Sequence, residues 1–539
     1  MYFHTLCIAA LASTGAAATC KTTPLDAEWP SETEWAQLNT TIAGSLIRTV
    51  PIASSCYSGN DFGSAPESID YPIYANNSCL PTNVTGYSPD QGCSIGAYPQ
   101  YIVNATEEEH VAIATKWASE RNIRIVIKGT GHDLNGRSSG AWSLSIWTRN
   151  FRSITRDTAW TYSNSSTPQD VYIVGSGQQW GNVLDRALSE GRIVTTGQDP
   201  SVGLGGYIQG GGHGPILSTY GLASAQVLQM RVVTATERAS FWALRGGGAG
   251  HNVVMSNVMI MPQFATNESF EASWSAAARW LSHLPDLMEA GLAGAATAAS
   301  GETAFAFFPN LANMAPFGGL GYGQLFWAFN TTVAAYPSTA PGNGTNSTLE
   351  ITMSTSNAGN YSAFYWAISG SEVAGGASLT STRLLGRAEL VDTPHEDVMS
   401  YLKVAFGAEN KTAGSFSTIG LQGGPGVHNM PEERRELDPV AAGSPQAALE
   451  SAAAFYEEKH ESMWRKWSPE SGAYMNEANA FNKEFKHDFY GENHERLLEV
   501  KRKYDPEESF FVLAGVGSDN WDYNMDSGKL CRVGNGTYV

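Results

Sequence analysis

The residues best suited to chemistry in this 539-residue sequence lie in the stretch 128–140, which reads KGTGHDLNGRSSG. An alternating apolar stretch just before it predicts a short strand that leads into the turn. Gly129 and Gly131 allow positive φ and a close approach of the backbone to a ligand. Successive N–H groups in such a turn form a concave site suited to an anion such as a pyrophosphate. His132 then lies where the chain contacts that ligand, although a lone histidine there is as often a structural residue.

A second glycine-rich segment spans residues 197–222 and reads GQDPSVGLGGYIQGGGHGPILSTYGL. Such a density of glycine in an otherwise apolar stretch indicates backbone that packs against a flat group or takes unusual φ and ψ. Two glycine-rich ligand loops separated by about one small α+β unit are hard to explain as linkers. The two segments together predict one ligand site built largely from backbone.

Several motifs together carry a family resemblance. They are KGTGHD, DPSVGLGGYIQGGGHG, YGLASAQV, FWALRGGG, YMNEAN and FYGENHERLLEVKRKYDPEESFFV. The chain resembles the FAD-linked oxidases of the vanillyl-alcohol-oxidase/p-cresol-methylhydroxylase superfamily. Within it the resemblance is to the berberine-bridge-enzyme-like branch, in particular the secreted fungal proteins called isoamyl alcohol oxidase-like, and it covers about residues 56–521. It implies an α+β fold, with a discontinuous FAD-binding domain of two α/β subdomains and a substrate domain built on an antiparallel sheet with helices.

The resemblance implies FAD as the cofactor, attached through an 8α-histidyl bond to His132. Such a bond prevents loss of the flavin and usually raises its potential, which favours hydride acceptance from an alcohol. Many relatives carry a second, cysteinyl bond at the first position of a C-P-T-V-G sequence. This chain has Asp199 there, so a single attachment is expected. Val202 matches the position said to gate oxygen and favours an oxidase over a dehydrogenase, with an ordinary core residue as the alternative.

The resemblance also implies that the segment AYMNEAN lines the flavin site. If this segment is a strand, Tyr474 and Asn476 share a face and Glu477 points to the other. Tyr474 could act as a base beside a charge that favours its phenolate, or it could simply hydrogen-bond near the ring. Tyr474 and Glu477 are the predicted catalytic residues. The predicted cofactor-binding residues are His132, Lys128, Gly129, Thr130, Gly131, Asp133, Ser138, Gly197, Val202, Gly203, Gly206, Gly210, Gly212, His213 and Asn476.

Composition and charge indicate the compartment of the protein and exclude some classes of partner. A net charge of −19 and a pI near 5.0 argue against nucleic acid or an anionic membrane as a partner. Residues 1–18 are interpreted as a signal peptide, and no later run is long and apolar enough to span a bilayer. A dozen N-x-S/T sequons favour a secreted glycoprotein. The expected partners are a small organic substrate and molecular oxygen, no metal site is predicted, and the oligomeric state is left open.

The cysteines favour an oxidising compartment. One of the six lies in the expected signal peptide, so five remain. Four of those five fall within the first hundred residues, where disulfides would staple an N-terminal extension. We expect Cys79 to pair with Cys93 and Cys20 to pair with Cys56, which leaves Cys531 free.

Composition and the family resemblance together divide the chain into five expected parts. They are the signal peptide, an N-terminal extension at 19–95, the FAD-binding domain at 96–270, the substrate domain at 271–470 and a C-terminal return to the FAD-binding domain at 471–539. Helices are predicted at 107–122, 180–190 and 490–504, and strands at 124–127, 142–147, 171–175, 226–234 and 324–328. Compared with the family, a hairpin near 235–241 is expected to be missing, through a real deletion or an error in the coding sequence. The segment 425–445 also departs from the family.

The leading hypothesis is a secreted FAD oxidase that moves a hydride from an alcohol carbon to flavin N5 and passes the electrons to oxygen, giving H2O2. The first alternative is a tailoring enzyme of secondary-metabolite biosynthesis that performs an oxidation, an oxidative cyclisation or a pericyclic step. The second is a degenerate protein that keeps the flavin fold without catalysis. The substrate itself is not indicated, because it depends on the part of the chain that resembles the family least.

Overall fold

The structure, a computed structural model, describes most of the chain in stretches separated by gaps. The described residues are 20–51, 54, 57, 79, 90, 92–133, 135–161, 168–233, 238–240, 244–245, 247–248, 252–262, 267–290, 292–300, 305–315, 349–357, 360–369, 381–405, 415–421, 423–424, 456–524 and 527–533. The predicted signal peptide, the predicted strand 324–328 and the segment 425–445 lie outside them. None of the helices in these stretches is long and apolar enough to cross a membrane.

The first layer consists of six elements, which are in chain order α1 (Glu32–Thr41), β1 (Leu46–Arg48), β2 (Tyr101–Asn104), α2 (Glu108–Ser119), β3 (Ile125–Lys128) and β4 (Leu144–Trp147). The strand order is β1-β2-β4-β3, with β2, β4 and β3 parallel and β1 antiparallel at the edge. Helix α2 starts with two glutamates, which favour a helix N-terminus, and buries Ala114 and Ala118 in the core of this layer. The helix and strands predicted here are confirmed, with ends that differ by up to three residues.

The second layer continues with eleven short elements, which are β5 (Ile154–Trp160), β6 (Gln169–Val174), α3 (Trp180–Ser189), β7 (Arg192–Ile193), α4 (Leu204–Gln209), α5 (Leu217–Tyr220), α6 (Ala223–Gln226), β8 (Arg231–Val233), β9 (Arg238–Ser240), β10 (Leu244–Arg245) and β11 (Gly247–Gly248). Strands pair in the orders β10-β6-β5, β11-β7 and β8-β9, all antiparallel. Trp180 and Tyr207 lie in the shared core of α3 and α4.

Two predictions in this layer need correction. The strand expected at 226–234 is limited to β8, because residues 223–226 form the helical turn α6. The hairpin expected to be missing is present in a shortened form, since β8 pairs with the three-residue strand β9. Strands β8 and β9 are therefore antiparallel neighbours that precede β10 in the chain.

The third layer is a five-stranded antiparallel sheet covered by helices. Its elements are β12 (Asn252–Pro262), α7 (Asn267–Leu281), α8 (Leu284–Glu289), β13 (Leu292–Ser300), β14 (Phe305–Ala315), β15 (Leu349–Asn357), α9 (Tyr361–Ile368), α10 (His395–Ala405) and β16 (Ser415–Gly420). The strand order is β15-β12-β14-β13-β16. Helices α7 and α10 bury Trp280 and Leu402 in one cluster. The sheet begins with β12, before residue 271, and the predicted domain boundaries stay a prediction.

The C-terminal part returns to the first sheet. Its elements are a π-helix (Tyr456–Glu461), α11 (Ser462–Trp467), α12 (Phe485–Tyr490), α13 (His494–Tyr504), β17 (Trp521–Tyr523) and β18 (Leu530–Arg532). The N–H of Ile125 in β3 donates to the carbonyl of Ser509 at 2.8 Å, so the returning chain extends the edge of the parallel sheet. The helix predicted at 490–504 begins only at His494, because Gly491, at φ +47°, interrupts it. This antiparallel layer and the returning segment together give the predicted α+β architecture.

Two disulfides are present among the described cysteines. Cys79 pairs with Cys93, as predicted. The predicted pair Cys20–Cys56 and the free Cys531 are wrong, because Cys20 is bonded to Cys531 across 511 residues of sequence. The N–H of Lys21 also donates to the carbonyl of Leu530 at 2.8 Å. The bridge therefore ties the start of the described chain to its C-terminal return.

Removal of this bridge by Cys531→Ser is expected to lower the free energy of unfolding by about 2–5 kcal/mol, since a cross-link over a long loop restricts the unfolded chain most. Thermal unfolding followed by scanning fluorimetry measures the change. The matched control is Cys93→Ser, which opens a disulfide that spans only 14 residues and should lower the midpoint less. A Cys531→Ser midpoint equal to the parent value would contradict this assignment.

The buried carboxyl of Glu461 should make the free energy of unfolding depend on pH. Burial raises the pKa of its carboxyl from 4.5 to about 7, and its Oε1 accepts a hydrogen bond from Ser381 at 3.0 Å. The folded state therefore holds a proton that the unfolded state releases above pH 4.5, so stability falls as the pH rises through about 7. The substitution Glu461→Gln removes this loss.

We expect Glu461→Gln to raise the free energy of unfolding at pH 8 by about 3 kcal/mol, and to change it little at pH 4.5. Thermal melts at both pH values measure it. Glu458→Gln, in the same π-helix but exposed, is the control and should leave both midpoints near those of the parent. Equal shifts at pH 4.5 and pH 8 would show that the charge of Glu461 is not the cause.

Candidate active site

The turn after β3 holds the first group of predicted ligand residues. It lies at the carboxyl end of a parallel strand, which is where ligands bind in open α/β sheets. Gly131 has φ of +91°, and a Cβ there would lie 2.9 Å from Cε of Lys128, which folds over it. Both oxygens of Asp133 bind Arg137, through its backbone N–H at 2.7 Å and its guanidinium at 2.9 Å. The turn is therefore closed by its own side chains, and Ser138 follows Arg137 in the same loop.

His132 in this turn contacts the second glycine-rich segment. Its Nε2 lies 2.6 Å from Oγ of Ser201. Ser201 in turn donates from Oγ and from its backbone N–H to Oδ1 of Asp199, both at 2.7 Å. Thr130 lies against Gly203, where a Cβ would come within 2.8 Å of its Oγ1. The two glycine-rich segments predicted to share one site are adjacent.

The segment 474–477 packs on α4, but it is not a strand. The N–H of Glu477 donates to the carbonyl of Tyr474 at 3.0 Å, which makes a turn. Asn476 donates from Nδ2 to the carbonyl of Gly206 at 3.1 Å. A Cβ at Gly210 would lie 2.1 Å from that nitrogen, so only glycine allows this approach. The strand considered from the sequence is therefore not formed, because the chain bends to place the Asn476 amide on the helix.

The same turn brings the predicted catalytic residues together with His213. Nε2 of His213 lies 3.2 Å from Oε1 of Glu477. The ring of His213 meets the ring of Tyr474 edge-on, with centroids 4.6 Å apart. Tyr474 is buried and its hydroxyl accepts a hydrogen bond from Asn476 at 3.3 Å, whereas the Glu477 side chain is 49% exposed. A histidine, a carboxylate and a phenol therefore converge where a substrate proton could be received.

Arg137 is a site residue that the sequence reasoning missed. Its guanidinium donates to Oδ1 of Asn476 at 2.8 Å and to the carbonyl of Met475 at 3.1 Å. It also binds Asp133, with both side chains largely buried. Arg137 thus joins the turn of His132 to the turn of Tyr474 and Glu477. The only signal in the sequence is an arginine four residues after an aspartate.

Three other predicted cofactor residues have packing partners within the protein. A Cβ at Gly197 would lie 3.2 Å from the Tyr207 ring, and one at Gly212, whose φ is +80°, would lie 2.5 Å from it. Val202 accepts a hydrogen bond from the N–H of Trp180 at 3.0 Å and packs on the core around it. Contact of these residues with a cofactor, and the oxygen gate at Val202, stay predictions.

The glycines test whether this site fits the FAD that the resemblance implies. A Cβ built at Gly205 or Gly206 meets no atom within 4 Å, and one at Gly129 meets only Oγ1 of Thr148 at 3.9 Å. Their φ values are ones that other residues adopt readily. Neither packing nor backbone conformation in the protein therefore requires glycine there. Open space beside three such glycines fits a flat or bulky group bound against the backbone.

Two family models match the chain in the parts that build this site. The model described as "FAD binding domain" matches residues 99–239, and the one described as "Berberine and berberine like" matches residues 473–516. The two matches contain His132 and Tyr474 respectively. The segment that contains both glycine-rich stretches and the segment that contains Tyr474, Asn476 and Glu477 are thus both recognised.

Curated relatives match nearly the whole chain. The FAD-linked oxidoreductase apf9 of Gibberella fujikuroi is 33% identical, over 96% of this chain and 97% of its own. A VAO-type flavoprotein oxidase of Thermothelomyces thermophilus is 31% identical over 95% of both chains. The alignment with the first relative spans 606 positions, more than the 539 residues here, so that relative carries additional residues within the aligned region.

Solved structures agree in fold. A VAO-type flavoprotein of Myceliophthora thermophila C1 superimposes with a TM-score of 0.82 at 25% identity, over 96% of this chain and 100% of its own. A second VAO-type flavoprotein of the same organism gives a TM-score of 0.76 at 26% identity with the same coverage. The identity of the relatives, the matched domains and the open space beside Gly129, Gly205 and Gly206 agree with one another. The chain belongs to the VAO-type, berberine-bridge-enzyme-like flavoproteins and is an FAD-dependent oxidoreductase.

Proposed function

We propose that the protein is a secreted, glycosylated oxidase that holds FAD through one covalent bond to His132 and oxidises an alcohol-type small molecule, with molecular oxygen as acceptor. The observation that carries the proposal is the convergence of His213, Glu477 and Tyr474 next to Asn476, whose amide binds the carbonyl of Gly206 in α4. When bound, FAD supplies the two-electron acceptor for a hydride from the alcohol carbon. The protein must then supply a base for the hydroxyl proton and a fixed position for the substrate.

The pair His213 and Glu477 is the proton acceptor in this proposal. Nε2 of His213 and Oε1 of Glu477 are within hydrogen-bond distance. The carboxylate can therefore stabilise a proton that the imidazole has received, or accept that proton itself. Tyr474 orients the substrate hydroxyl in this proposal, and its own hydroxyl accepts a hydrogen bond from Asn476 at 3.3 Å, which fixes the phenol. Arg137 fixes Asn476 and so holds the turn in place.

The proposals of secretion and of a single covalent bond to FAD are supported by the disulfides and by the residue at position 199. The Cys20–Cys531 and Cys79–Cys93 disulfides support an oxidising compartment. Asp199 stands where relatives with a second bond have cysteine, and its carboxylate is engaged with Ser201. A carboxylate at this position cannot form the thioether, so His132 is the single attachment point of the proposal.

The proposal is tested with the glycosylated protein purified from culture medium of a secreting host. A panel of aliphatic and benzylic primary alcohols is screened by peroxidase-coupled detection of H2O2, with an artificial electron acceptor in a parallel anaerobic assay. Peroxide formation with at least one alcohol supports an alcohol oxidase. Turnover with the artificial acceptor but none with oxygen would reject the oxidase and favour a dehydrogenase.

A second candidate is a tailoring enzyme of secondary-metabolite biosynthesis. The observation in its favour is a relative named bifunctional decalin synthase, from Penicillium decumbens, which is 28% identical over 96% of both chains. The same proton acceptor would then act on a more complex intermediate. Product analysis with a candidate biosynthetic intermediate separates the two functions, since a rearranged or cyclised product has no counterpart in simple alcohol oxidation.

A further inference from the structure

We propose that the cavity around Arg124 is a binding site for a small monovalent anion such as chloride. The cavity lies between the loop that joins β3 to β4 and the C-terminal return, and its volume is about 30 Å³. The residues that line it include Ala97, Arg124, Gly136, Arg137, Val512 and Tyr523. Among these six, only Arg137 has a role in the proposed function.

Arg124 is a buried charge whose hydrogen-bond donors are not all satisfied. It is 6% exposed, and within the part of the chain that the structure describes its Nε and Nη1 have no hydrogen-bond acceptor and it forms no ion pair. A guanidinium keeps its charge at neutral pH and offers five N–H donors. Burial of such a charge is unfavourable unless an opposite charge and acceptors compensate it. An anion in the cavity would supply both.

Two aromatic rings lie beside this guanidinium but leave its N–H groups unsatisfied. Cζ of Arg124 is 5.2 Å from the ring centroid of Phe511 and 4.9 Å from that of Tyr523. A ring face attracts the cation electrostatically. The N–H groups lie in the plane of the guanidinium and need acceptors there, which is why a carboxylate or a small anion binds along its edge. The rings therefore stabilise part of the charge and leave the edge to a ligand.

The backbone of the first sheet fixes the position of Arg124. Its carbonyl accepts a hydrogen bond from the N–H of Leu144 at 2.9 Å, and the next residue, Ile125, donates to Ser509 at 2.8 Å. A Cβ at Gly140 would lie 2.7 Å from Cζ of Arg124, so the glycine leaves room for the guanidinium. The cation is thus held in place before any anion binds, and this lowers the entropic cost of binding.

The size and charge of the cavity favour a small monovalent anion. One water needs about 10–15 Å³ on this measure, so a cavity of about 30 Å³ admits an ion of the size of chloride and excludes large organic anions. Arg137, the second guanidinium in the wall, is already paired with Asp133 at 2.8 Å. A single negative charge therefore balances Arg124, whereas a divalent anion would exceed it.

Thermal unfolding of the purified full-length protein tests the site. Sodium chloride replaces sodium gluconate at constant ionic strength, because gluconate is too large for the cavity. The variant is Arg124→Gln, which removes the charge and keeps a polar side chain. The matched control is Arg48→Gln, at an arginine whose side chain is 73% exposed. Arg137 is left unchanged because it holds the turn 474–477.

We expect chloride to raise the unfolding midpoints of the parent and of Arg48→Gln by about 1–2 °C and then to have no further effect. The reason is that an anion bound only to the folded state stabilises it by mass action until the site is saturated. The midpoint of Arg124→Gln should not respond to chloride. A parent that does not respond, or an equal response in Arg124→Gln, would overturn the site.

If Arg124→Gln does not fold, chlorine NMR of the parent decides. Bound chloride in exchange with the solution broadens the chloride signal. Broadening that sodium nitrate removes and sodium gluconate does not would support a small-anion site, since nitrate is small, planar and monovalent. The absence of such broadening would overturn it.

Discussion

The substitution Glu477→Gln is expected to lower kcat by about 10²–10⁴-fold on an alcohol substrate, because a positioned base contributes a factor of that size. Glutamine keeps the shape of the side chain and can still bond to Nε2 of His213, which lies 3.2 Å from Oε1. It cannot take the proton that His213 receives. Stopped-flow reduction of the flavin without oxygen isolates this step, and its rate should fall by the same factor while the substrate Kd changes little.

The control for this experiment is Glu484→Gln. Glu484 is exposed and lies seven residues after Glu477 in the sequence. It should reduce its flavin at the parent rate. Tyr474→Phe provides the comparison that assigns the base. A small loss in Tyr474→Phe together with a large loss in Glu477→Gln agrees with an orienting phenol, and the reverse order would make Tyr474 the base.

The second large effect concerns stability. Arg383 and Asp488 form an ion pair at 2.8 Å in which both side chains are fully buried. Although burial raises it, hydrogen bonds from Asn482, His487 and Arg383 lower the pKa of Asp488 below its usual value, so the carboxyl is charged in the folded state. Arg465 also approaches it at 3.2 Å. The substitution Asp488→Asn leaves the Arg383 guanidinium buried without its counter-charge and should cost about 3–5 kcal/mol.

Urea unfolding, monitored by tryptophan fluorescence, measures the cost of Asp488→Asn. The matched control is Asp286→Asn, which removes the partner of Arg387 in an ion pair at 2.6 Å whose side chains are 43–50% exposed. That exposed pair should contribute less than about 1 kcal/mol. Similar losses for the two variants would mean that burial of the Arg383–Asp488 pair does not govern its contribution.

The sequence was sufficient to predict the family of the protein and the segments that form the candidate site. His132, Gly203 and Asn476 come from three glycine-rich or polar motifs, and each motif has a distinctive composition. Their adjacency could be inferred because the family resemblance covers all three. Periodicity alone would have predicted helix α2 and strand β3, but it would not have predicted which loops are in contact.

Two contacts between distant residues could not be predicted. Cys20 and Cys531 are 511 residues apart, and spacing carries no information on pairing at that distance. Ser201 and His132 meet across 69 residues, so the sequence marked Asp199 only as a missing cysteine. The sequence also did not decide between a strand and a turn at 474–477, because a segment this short carries no clear periodicity.

Mass spectrometry of the peptide that contains His132 tests the central claim most directly. Trypsin cleaves after Lys128 and Arg137, so the peptide 129–137 carries this histidine alone. In protein purified with its flavin, we expect that peptide to be heavier by the mass of FAD less two hydrogens, with the fragment ions placing the added mass on His132. An unmodified peptide from a yellow protein would contradict the covalent attachment. A colourless protein with an unmodified peptide would contradict flavin binding at this site altogether.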